Sequence, residues 1–311
     1  MTGMVELRVD GVSAADVVAV AREGALVVLG DSARAEMERS AAVVAERAAA
    51  DEPAYGISTG FGSLALVQIP AEARVALQRS LIRSHASGMG PPVEREVVRA
   101  MMLLRARSLA MGRSGARPAV VERIIALLGA GVTPVVPEHG SLGASGDLAP
   151  LAHCALVLTG EGSVMDGVGE VRPAAEALAS AGIEPLELTA KEGLALINGT
   201  DGMLGMLVLA CFDLAALSRV ADIAAAMSVE ALFGTDRVFA EDLIALRPQP
   251  GQIDSAWNLR ALLADSEIVA SHRFGDPRVQ DAYSLRCARA RRRWLRPGSS
   301  RSSSRRRRGS R

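Results

Sequence analysis

Residues 140–153, GSLGASGDLAPLAH, combine residue types whose spacing could support chemistry. A small tripeptide, Ala-Ser-Gly at residues 144–146, is enclosed by glycines and precedes a segment with a helical pattern. Glycines at positions 140, 143 and 146 can adopt positive φ and form tight turns that bulkier side chains disfavour. The sequence therefore predicts a sharply bent backbone at the start of a helix.

Three interpretations of this bend are open. Ser145 or Asp147 could cap the helix that begins in DLAPLAH. Backbone N–H groups at the helix start could bind an anion. Alternatively, the nitrogen of Gly146 could attack the carbonyl of Ala144, and loss of water from the new ring and from Ser145 would give a methylidene-imidazolone. That reaction needs each residue type, because glycine offers an unhindered nitrogen, serine an eliminable hydroxyl and alanine little bulk.

The same stretch resembles the signature of the aromatic amino acid ammonia-lyases over a dozen residues. In that family the Ala-Ser-Gly tripeptide cyclises autocatalytically into an electrophilic prosthetic group, 4-methylideneimidazole-5-one. The resemblance implies that Ala144, Ser145 and Gly146 form this cofactor and belong to the catalytic site. It also implies that the protein eliminates ammonia from an amino acid without oxidation.

A second segment, YGISTGFG at residues 55–62, is similar to the mobile loop of the family. Its glycines suit a lid that opens and closes over a buried site. By this resemblance Tyr55 is the base that removes the β-proton, a task that requires nearby positive charge or dipoles. The alternative is that Tyr55 only packs beneath the loop.

His85 lies in the segment RSLIRSHASGMG, on a predicted helical face shared with Leu77 and Leu81. It could be a core histidine whose ring nitrogens are both satisfied. In the family, this position helps to select the substrate ring, and Ser-His-Ala looks like the histidine-specific members. A polar imidazole suits an imidazole substrate, because an apolar pocket would leave the ring nitrogens of the substrate unpaired.

The segment ALINGT places Asn198 at the end of a predicted helix, where it could simply terminate the helix together with Gly199. The resemblance instead makes its amide a partner of the electrophile or of the substrate carboxylate.

A last familiar segment is RVQDAYSLRC at residues 278–287. By resemblance Gln280 and Tyr283 line the site, and Arg286 binds the substrate carboxylate through a forked, charge-assisted pair. Tyr283 and Arg286 would be neighbours on one helical face. The family usually has proline where this chain has Ala282.

Nothing in the sequence indicates a metal site, since the four histidines lack ligand spacing. The three cysteines are widely separated, which argues for a reducing compartment. The amino terminus shows no secretory signal, and the apolar run MLGMLVLACF is too short to span a bilayer. We therefore expect a cytoplasmic protein with no metal and no membrane partner.

The net charge of zero conceals two different kinds of sequence. Of the 35 Lys and Arg residues, 11 arginines lie in residues 287–311, which contain no acid, so the remainder carries 24 basic and 35 acidic residues. An arginine arm could bind nucleic acid. A shifted reading frame would also give such an Arg/Ser tail, and we expect a frame shift or a truncation after about residue 287. We therefore expect no nucleic-acid partner. Residues 288–311 are expected to be disordered.

Helical patterns dominate the elements that must position these residues. Helices are predicted from the prolines at 91–92 to Gly115, from Pro118 to about residue 131, and over residues 201–233. A capping box of Thr189 and Glu192 predicts another helix, which ends at Asn198. The segments VELRVDG and ALVVLG predict a small ribbon near the amino terminus.

The expected fold is mainly α, a long-helix bundle of the ammonia-lyase/fumarase kind with a small amino-terminal α+β region, lacking the carboxy-terminal part of the family. The predicted domains are an active-site domain at 1–200 and the start of the central bundle at 201–287. Because family members are homotetramers with shared sites, a chain lacking much of the bundle would expose apolar helix faces.

The expected activity is deamination of L-histidine to trans-urocanate and ammonia. A tyrosine or phenylalanine ammonia-lyase, or an aminomutase, on the same scaffold is the alternative, as is an inactive remnant.

Overall fold

The computed structural model describes residues 3–143 and 146–288. The chain divides into two compact units, Met1–Leu209 and Ala210–Arg311. The predicted domain limits at residues 200 and 287 remain predictions, and the Arg/Ser tail lies outside the described residues.

The first unit is a helical body with three small sheets. Its helices are α1 (Ala14–Val18), α2 (Asp31–Ala49), α3 (Arg74–His85), α4 (Arg95–Ala110), α5 (Pro118–Gly129), α6 (Leu148–Leu158), α7 (Ala174–Ser180) and α8 (Glu192–Ile197). Its strands are β1 (Met4–Leu7), β2 (Leu26–Leu29), β3 (Met89–Pro92), β4 (Thr133–Pro134), β5 (Pro137–His139), β6 (Ser163–Met165) and β7 (Val171–Pro173).

The sheets serve mainly to fix loops. The predicted amino-terminal ribbon is present, and β1 and β2 pair in parallel with Val5 opposite Val27. This pairing requires the intervening crossover, which α1 and a π-helical turn supply. Strand β3 pairs antiparallel with β5, and β4, β6 and β7 form an antiparallel sheet in that order. The β3–β5 pair brings the segment after His85 beside the segment before Gly140.

The core of the first unit is built from Leu, Val, Ile, Met and Ala. Helix α4 lies at its centre and is buried along nearly its whole length, including Met101, Leu103 and Leu109. Within the described residues the cluster contains no buried aromatic side chain, which explains how a chain with 3% aromatic residues still forms a core. Each fully buried aliphatic side chain contributes about 1.5–3 kcal/mol relative to exposure.

Helix α4 is shorter than the sequence pattern predicted. Pro91 and Pro92 are the last two residues of β3 and not part of a first helical turn, and the helix begins at Arg95. The helix ends at Ala110, before Gly112, whose φ of +67° leaves the helical region. A Cβ atom at Gly112 would lie 2.5 Å from the carbonyl carbon of Glu36, so close approach of α2 requires glycine here.

The second unit contains α10 (Glu241–Ala245), α11 (Pro250–Leu262), α12 (Glu267–Ser271) and α13 (Tyr283–Arg286), together with most of α9 (Asp201–Ala231). Its smaller core includes Phe239, Leu259 and Val269. The predicted long helix is therefore present, and it ends two residues before Phe233, whose φ is +50°.

Residues Glu192–Ala231, which comprise α8 and α9, form one stretch that is long and apolar enough to cross a membrane by length and composition. Only 11% of its most apolar window is buried. Core helices of soluble proteins pass the same test. Inside the stretch, the buried Asp222 accepts hydrogen bonds from Ser255 and Asn258, so this side chain is part of the protein interior.

Candidate active site

The turn at Gly146 is held by direct backbone contact with the loop after α8. Gly146 has a φ of +95°, and its N–H donates to the carbonyl of Gly143. A Cβ atom at this position would lie 2.4 Å from the carbonyl oxygen of Gly199. Ala144 and Ser145 lie outside the described residues. The backbone on their carboxyl side thus has both features that cyclisation requires, an unhindered nitrogen and an enforced bend.

Asp147 joins the two loops, and its role differs from the helix cap that the sequence suggested. It is the first residue before α6, yet its side chain makes no capping bond to that helix. Its Oδ2 accepts from the backbone N–H groups of Gly202 and Met203 at 2.8 and 3.0 Å, at the start of α9. Its Oδ1 accepts from the hydroxyl of Ser141 at 2.7 Å. The buried carboxylate therefore caps the long helix rather than the short one.

Arg105 contacts the loop between α8 and α9. Its Nη1 donates to the carbonyl of Asn198 at 2.7 Å and lies 3.2 Å from Oδ2 of Asp201. Burial lowers the pKa of Arg105. Burial also raises the pKa of Asp201, and attraction to Arg105 offsets part of that effect. A Cβ atom at Gly199 would lie 2.3 Å from Nη1 of Arg105, so a larger residue there would displace the Arg105 side chain.

The sequence analysis did not select Arg105 or the α9-capping role of Asp147. The pattern of α4 shows Arg105 only as a polar residue in an apolar helix. The Asn198 partner of Arg105 and the α9 partners of Asp147 lie more than 50 residues away along the chain.

Asn198 is the C-cap residue of α8, and its side chain is exposed. The helix itself begins differently from the prediction, because Thr189 is not its N-cap. Lys191 takes that position with a φ of +70°. The Glu192 carboxylate accepts the N–H of Thr189 as in a capping box, but it also accepts two N–H groups of the Arg117 guanidinium. This buried carboxylate anchors α8 to the start of α5.

Tyr55 lies on the predicted lid loop and is 57% exposed. Its ring packs edge-on against Phe61, and its hydroxyl accepts weakly from the N–H of Gly62 at 3.4 Å. The loop contacts α8, because a Cβ atom at Gly56 would lie 2.9 Å from Leu194. The structure thus brings the Tyr55 loop to the helix that ends at Asn198.

His85 is the last residue of α3. Its Nδ1 lies 2.9 Å from the carbonyl of Leu81, on the predicted face. A carbonyl can only accept, so Nδ1 carries the proton, and Nε2 of the neutral ring is an acceptor. The side chain is half-buried, which leaves one ring nitrogen able to meet a ligand.

Gln280, Tyr283 and Arg286 belong to the second unit. The Arg286 guanidinium lies 4.4 Å from the centroid of the Tyr283 ring, as helical neighbours allow. Gln280 lies on the exposed loop before α13. Tyr283 and Arg286 line a cavity of about 620 Å³ in this unit, together with Arg247 and Gln252. The buried Nε of Arg286 has no hydrogen-bond partner among the described residues. A cavity lined by two arginine side chains, Arg247 and Arg286, suits a carboxylate.

In residues 3–143 and 146–288, no group of three or more His, Cys, Asp and Glu side chains could hold a metal ion. The three cysteines are free, and Cys154 is buried, which raises its pKa to about 12. Such a thiol remains protonated and unreactive at neutral pH.

Comparison with known proteins finds relatives that are ammonia-lyases and aminomutases. The histidine ammonia-lyase of Streptomyces avermitilis is 57% identical over 278 residues, which cover 89% of this chain and 54% of that protein. The crystal structure of histidine ammonia-lyase from Trypanosoma cruzi has a TM-score of 0.82 and 37% identity, covering 92% of this chain and 52% of that one. The tyrosine aminomutase of Streptomyces globisporus has a TM-score of 0.83 and 36% identity, covering 92% and 57%.

These neighbours confirm the predicted long-helix fold of the ammonia-lyases and aminomutases. The chain spans about half the length of the curated relatives it matches. Residues 12–291 match the family described as aromatic amino acid lyase. Because that match covers the glycine-bounded turn, the lid loop and the loops around Asn198 and Arg286, the chain belongs to the aromatic amino acid lyase family.

Proposed function

We propose that the protein deaminates L-histidine without oxidation and releases trans-urocanate and ammonia. The observation that carries the proposal is the contact between Gly146 and Gly199, which joins the bent turn of the Ala-Ser-Gly tripeptide to the Asn198 loop. The curated relative reported above is a histidine ammonia-lyase, which favours histidine as the substrate.

The residues present fit the prosthetic group 4-methylideneimidazole-5-one. Gly146 supplies an unhindered nitrogen in a strained backbone, and Asp147 and Gly199 hold its carboxyl side. Ala144 and Ser145 would complete the ring. Once formed, this group supplies an electrophile that activates the amino acid toward loss of ammonia. The proposed site needs no metal.

The chain's own residues bind the substrate and move its proton. Arg286 holds the substrate carboxylate, with Gln280 lining the site and Tyr283 assisting. The phenol oxygen of Tyr55 accepts the β-proton as the base. The electron pair of that C–H bond forms the double bond to the α-carbon, and the α-amine leaves as ammonia. The amide of Asn198 faces the electrophile or the substrate carboxylate.

His85 provides the basis of ring selection. Its Nε2 is an acceptor, because Nδ1 donates to Leu81. An imidazole N–H of the substrate can donate to it, whereas a phenyl ring offers no donor and would leave the nitrogen unpaired. A phenol can also donate.

The second candidate is therefore a tyrosine-specific lyase or aminomutase. The structural similarity to a tyrosine aminomutase and the ability of His85 to accept from a phenol favour it. An inactive remnant is the remaining alternative.

We also propose a homotetrameric, cytoplasmic enzyme. The free cysteines agree with a reducing compartment. Exposed apolar side chains along α9, among them Phe212, Leu217 and Ile223, agree with burial in an assembly.

The test combines product analysis with intact mass. The purified chain is incubated with L-histidine, L-tyrosine and L-phenylalanine, and urocanate, hydroxycinnamate, cinnamate and β-amino acids are separated and quantified. Two lost waters should lower the mass by roughly 36 Da, and Ser145→Ala should abolish both the mass loss and turnover. Turnover of tyrosine without histidine would favour the second candidate. An unmodified mass without product would indicate a remnant.

A further inference from the structure

The segment that follows His85 packs tightly on the start of α6. A Cβ atom at Gly88 would lie 3.0 Å from Nε2 of His153 and 3.2 Å from Pro137. A Cβ atom at Gly140 would lie 3.0 Å from the Cβ of Ala149 and 3.3 Å from the Cα of Gly88. The segments around Gly88 and Gly140 and the start of α6 therefore pack against one another with almost no side-chain volume between them. A small movement of one segment would change its distance to the other two.

The side chain of His153 makes a polar contact across this junction. The N–H of Gly88 donates to Nε2 of His153 at 3.1 Å. Because the backbone N–H can only donate, Nε2 must be unprotonated and the neutral ring carries its proton on Nδ1. His153 is half-buried, so the contact is partly shielded from water.

His153 has a fixed position relative to Asp147, because both belong to the same helix or its cap. It lies six residues after Asp147, in the second turn of α6, about 9 Å along the helix axis at 1.5 Å per residue. The neighbouring side chains Leu151, Ala152 and Ala155 are buried in the core, so the helix cannot shift independently. The Gly88 amide is three residues from His85, the residue proposed to contact the substrate ring.

We infer that His153 is a positioning residue, which fixes the segment after His85 relative to Gly146 and Asp147 at the start of α6. It does not touch the substrate and acts through Gly88. This inference rests on the proposed function, because His85 and the tripeptide acquire their roles there.

The test uses three variants of the full chain. His153→Gln keeps a side-chain oxygen that can accept the Gly88 N–H. His153→Leu keeps a side chain of comparable bulk but accepts no hydrogen bond. His139→Leu is the matched control, because it removes an exposed imidazole that contacts Gly90 on the same strand pair and leaves the Gly88 contact in place.

The first measurement is amide hydrogen exchange of the peptide that contains residues 86–90. In His153→Leu the Gly88 amide should exchange about fivefold to tenfold faster, as expected for the loss of one hydrogen bond. His153→Gln and His139→Leu should exchange as the wild type does. Unchanged exchange in His153→Leu, or equal acceleration in all three variants, would overturn the inference.

The second measurement separates positioning from general stability. His153→Leu should raise KM for L-histidine about threefold to tenfold with a smaller change in kcat, and His153→Gln should restore KM. The mass loss of roughly 36 Da should persist in both variants. A fall in kcat with unchanged KM, or no rescue by glutamine, would contradict the inference. If the wild type shows no turnover, the proposed function fails, and the exchange measurement alone decides the role of His153.

Discussion

At the scale of single residues, both the backbone conformation and the neighbouring backbone restrict which residue can replace Gly146. We predict that Gly146→Ala prevents ring formation, because the added Cβ would meet the Gly199 carbonyl at 2.4 Å and because φ is +95°. The strain should also cost about 1–3 kcal/mol of unfolding free energy. Intact mass and urea unfolding measure the two effects. Gly167→Ala is the control, since no atom lies within 4 Å of its Cβ position. A variant that still loses two waters would contradict this account.

Asp147 gives the second prediction at this scale. Its carboxylate accepts one hydrogen bond from Ser141 in the loop before α6 and two from the first turn of α9. Asp147→Ala would leave the buried N–H of Gly202 and the partly buried N–H of Met203 without an acceptor, and we expect a loss of about 2–4 kcal/mol in unfolding free energy. Asp147→Asn should cost less, because one amide oxygen still accepts. Asp166→Asn, in an exposed turn, should change stability by less than about 0.5 kcal/mol. Equal stability of Asp147→Ala and wild type would refute the capping role.

These two residues also show how far sequence reasoning reaches. The glycines at 140, 143 and 146 predicted a tight turn with positive φ, and the structure confirms a positive φ at Gly146. The partner of Asp147 could not be predicted, because local rules favoured α6 and only tertiary contact brings Gly202 to its carboxylate. The same holds for Arg105, whose partners lie beyond α8.

At the scale of elements, the contact between α6 and the segment that follows α3 should depend on pH. Burial lowers the pKa of His153, whose neutral ring accepts the Gly88 N–H. In the unfolded chain a histidine titrates near a pKa of about 6.5. The unfolded state therefore binds a proton first as the pH falls, so the stabilisation is complete above pH ~6.5 and is lost below it.

We predict that wild-type stability falls more between pH 7.5 and pH 5 than that of His153→Gln. Urea unfolding at both pH values measures the difference, and the carboxylates that titrate in the same range are common to both proteins. Parallel loss of stability in the two proteins would show that His153 does not contribute.

Helix patterns predicted most elements and misplaced several boundaries. The long α9 and the proline start of α5 are confirmed, because apolar periodicity and Pro118 are local signals. The predicted start of α4 was wrong. Pro91 and Pro92 are equally compatible with an edge strand, and β5 provides the partner strand. Pairing between distant segments has no local signature in this region.

At the scale of the whole molecule, the exposed face of α9 favours self-association. Apolar side chains along this helix are exposed in the single chain, including Leu217 at 60%. Burying one such leucine contributes about 1.5–3 kcal/mol, and a tetramer would bury it four times.

We therefore predict that Leu217→Glu shifts the chain to smaller assemblies and raises the dissociation constant at least about tenfold, since each 1.4 kcal/mol corresponds to a factor of ten. Light scattering after size-exclusion chromatography and sedimentation over a concentration series measure the effect. Val168→Glu is the matched control, because this exposed residue lies in the turn between β6 and β7. A wild-type chain that remains monomeric at all concentrations would rule out the homotetramer for this chain. Loss of association in both variants would indicate a general effect of added charge, because Val168 lies outside α9.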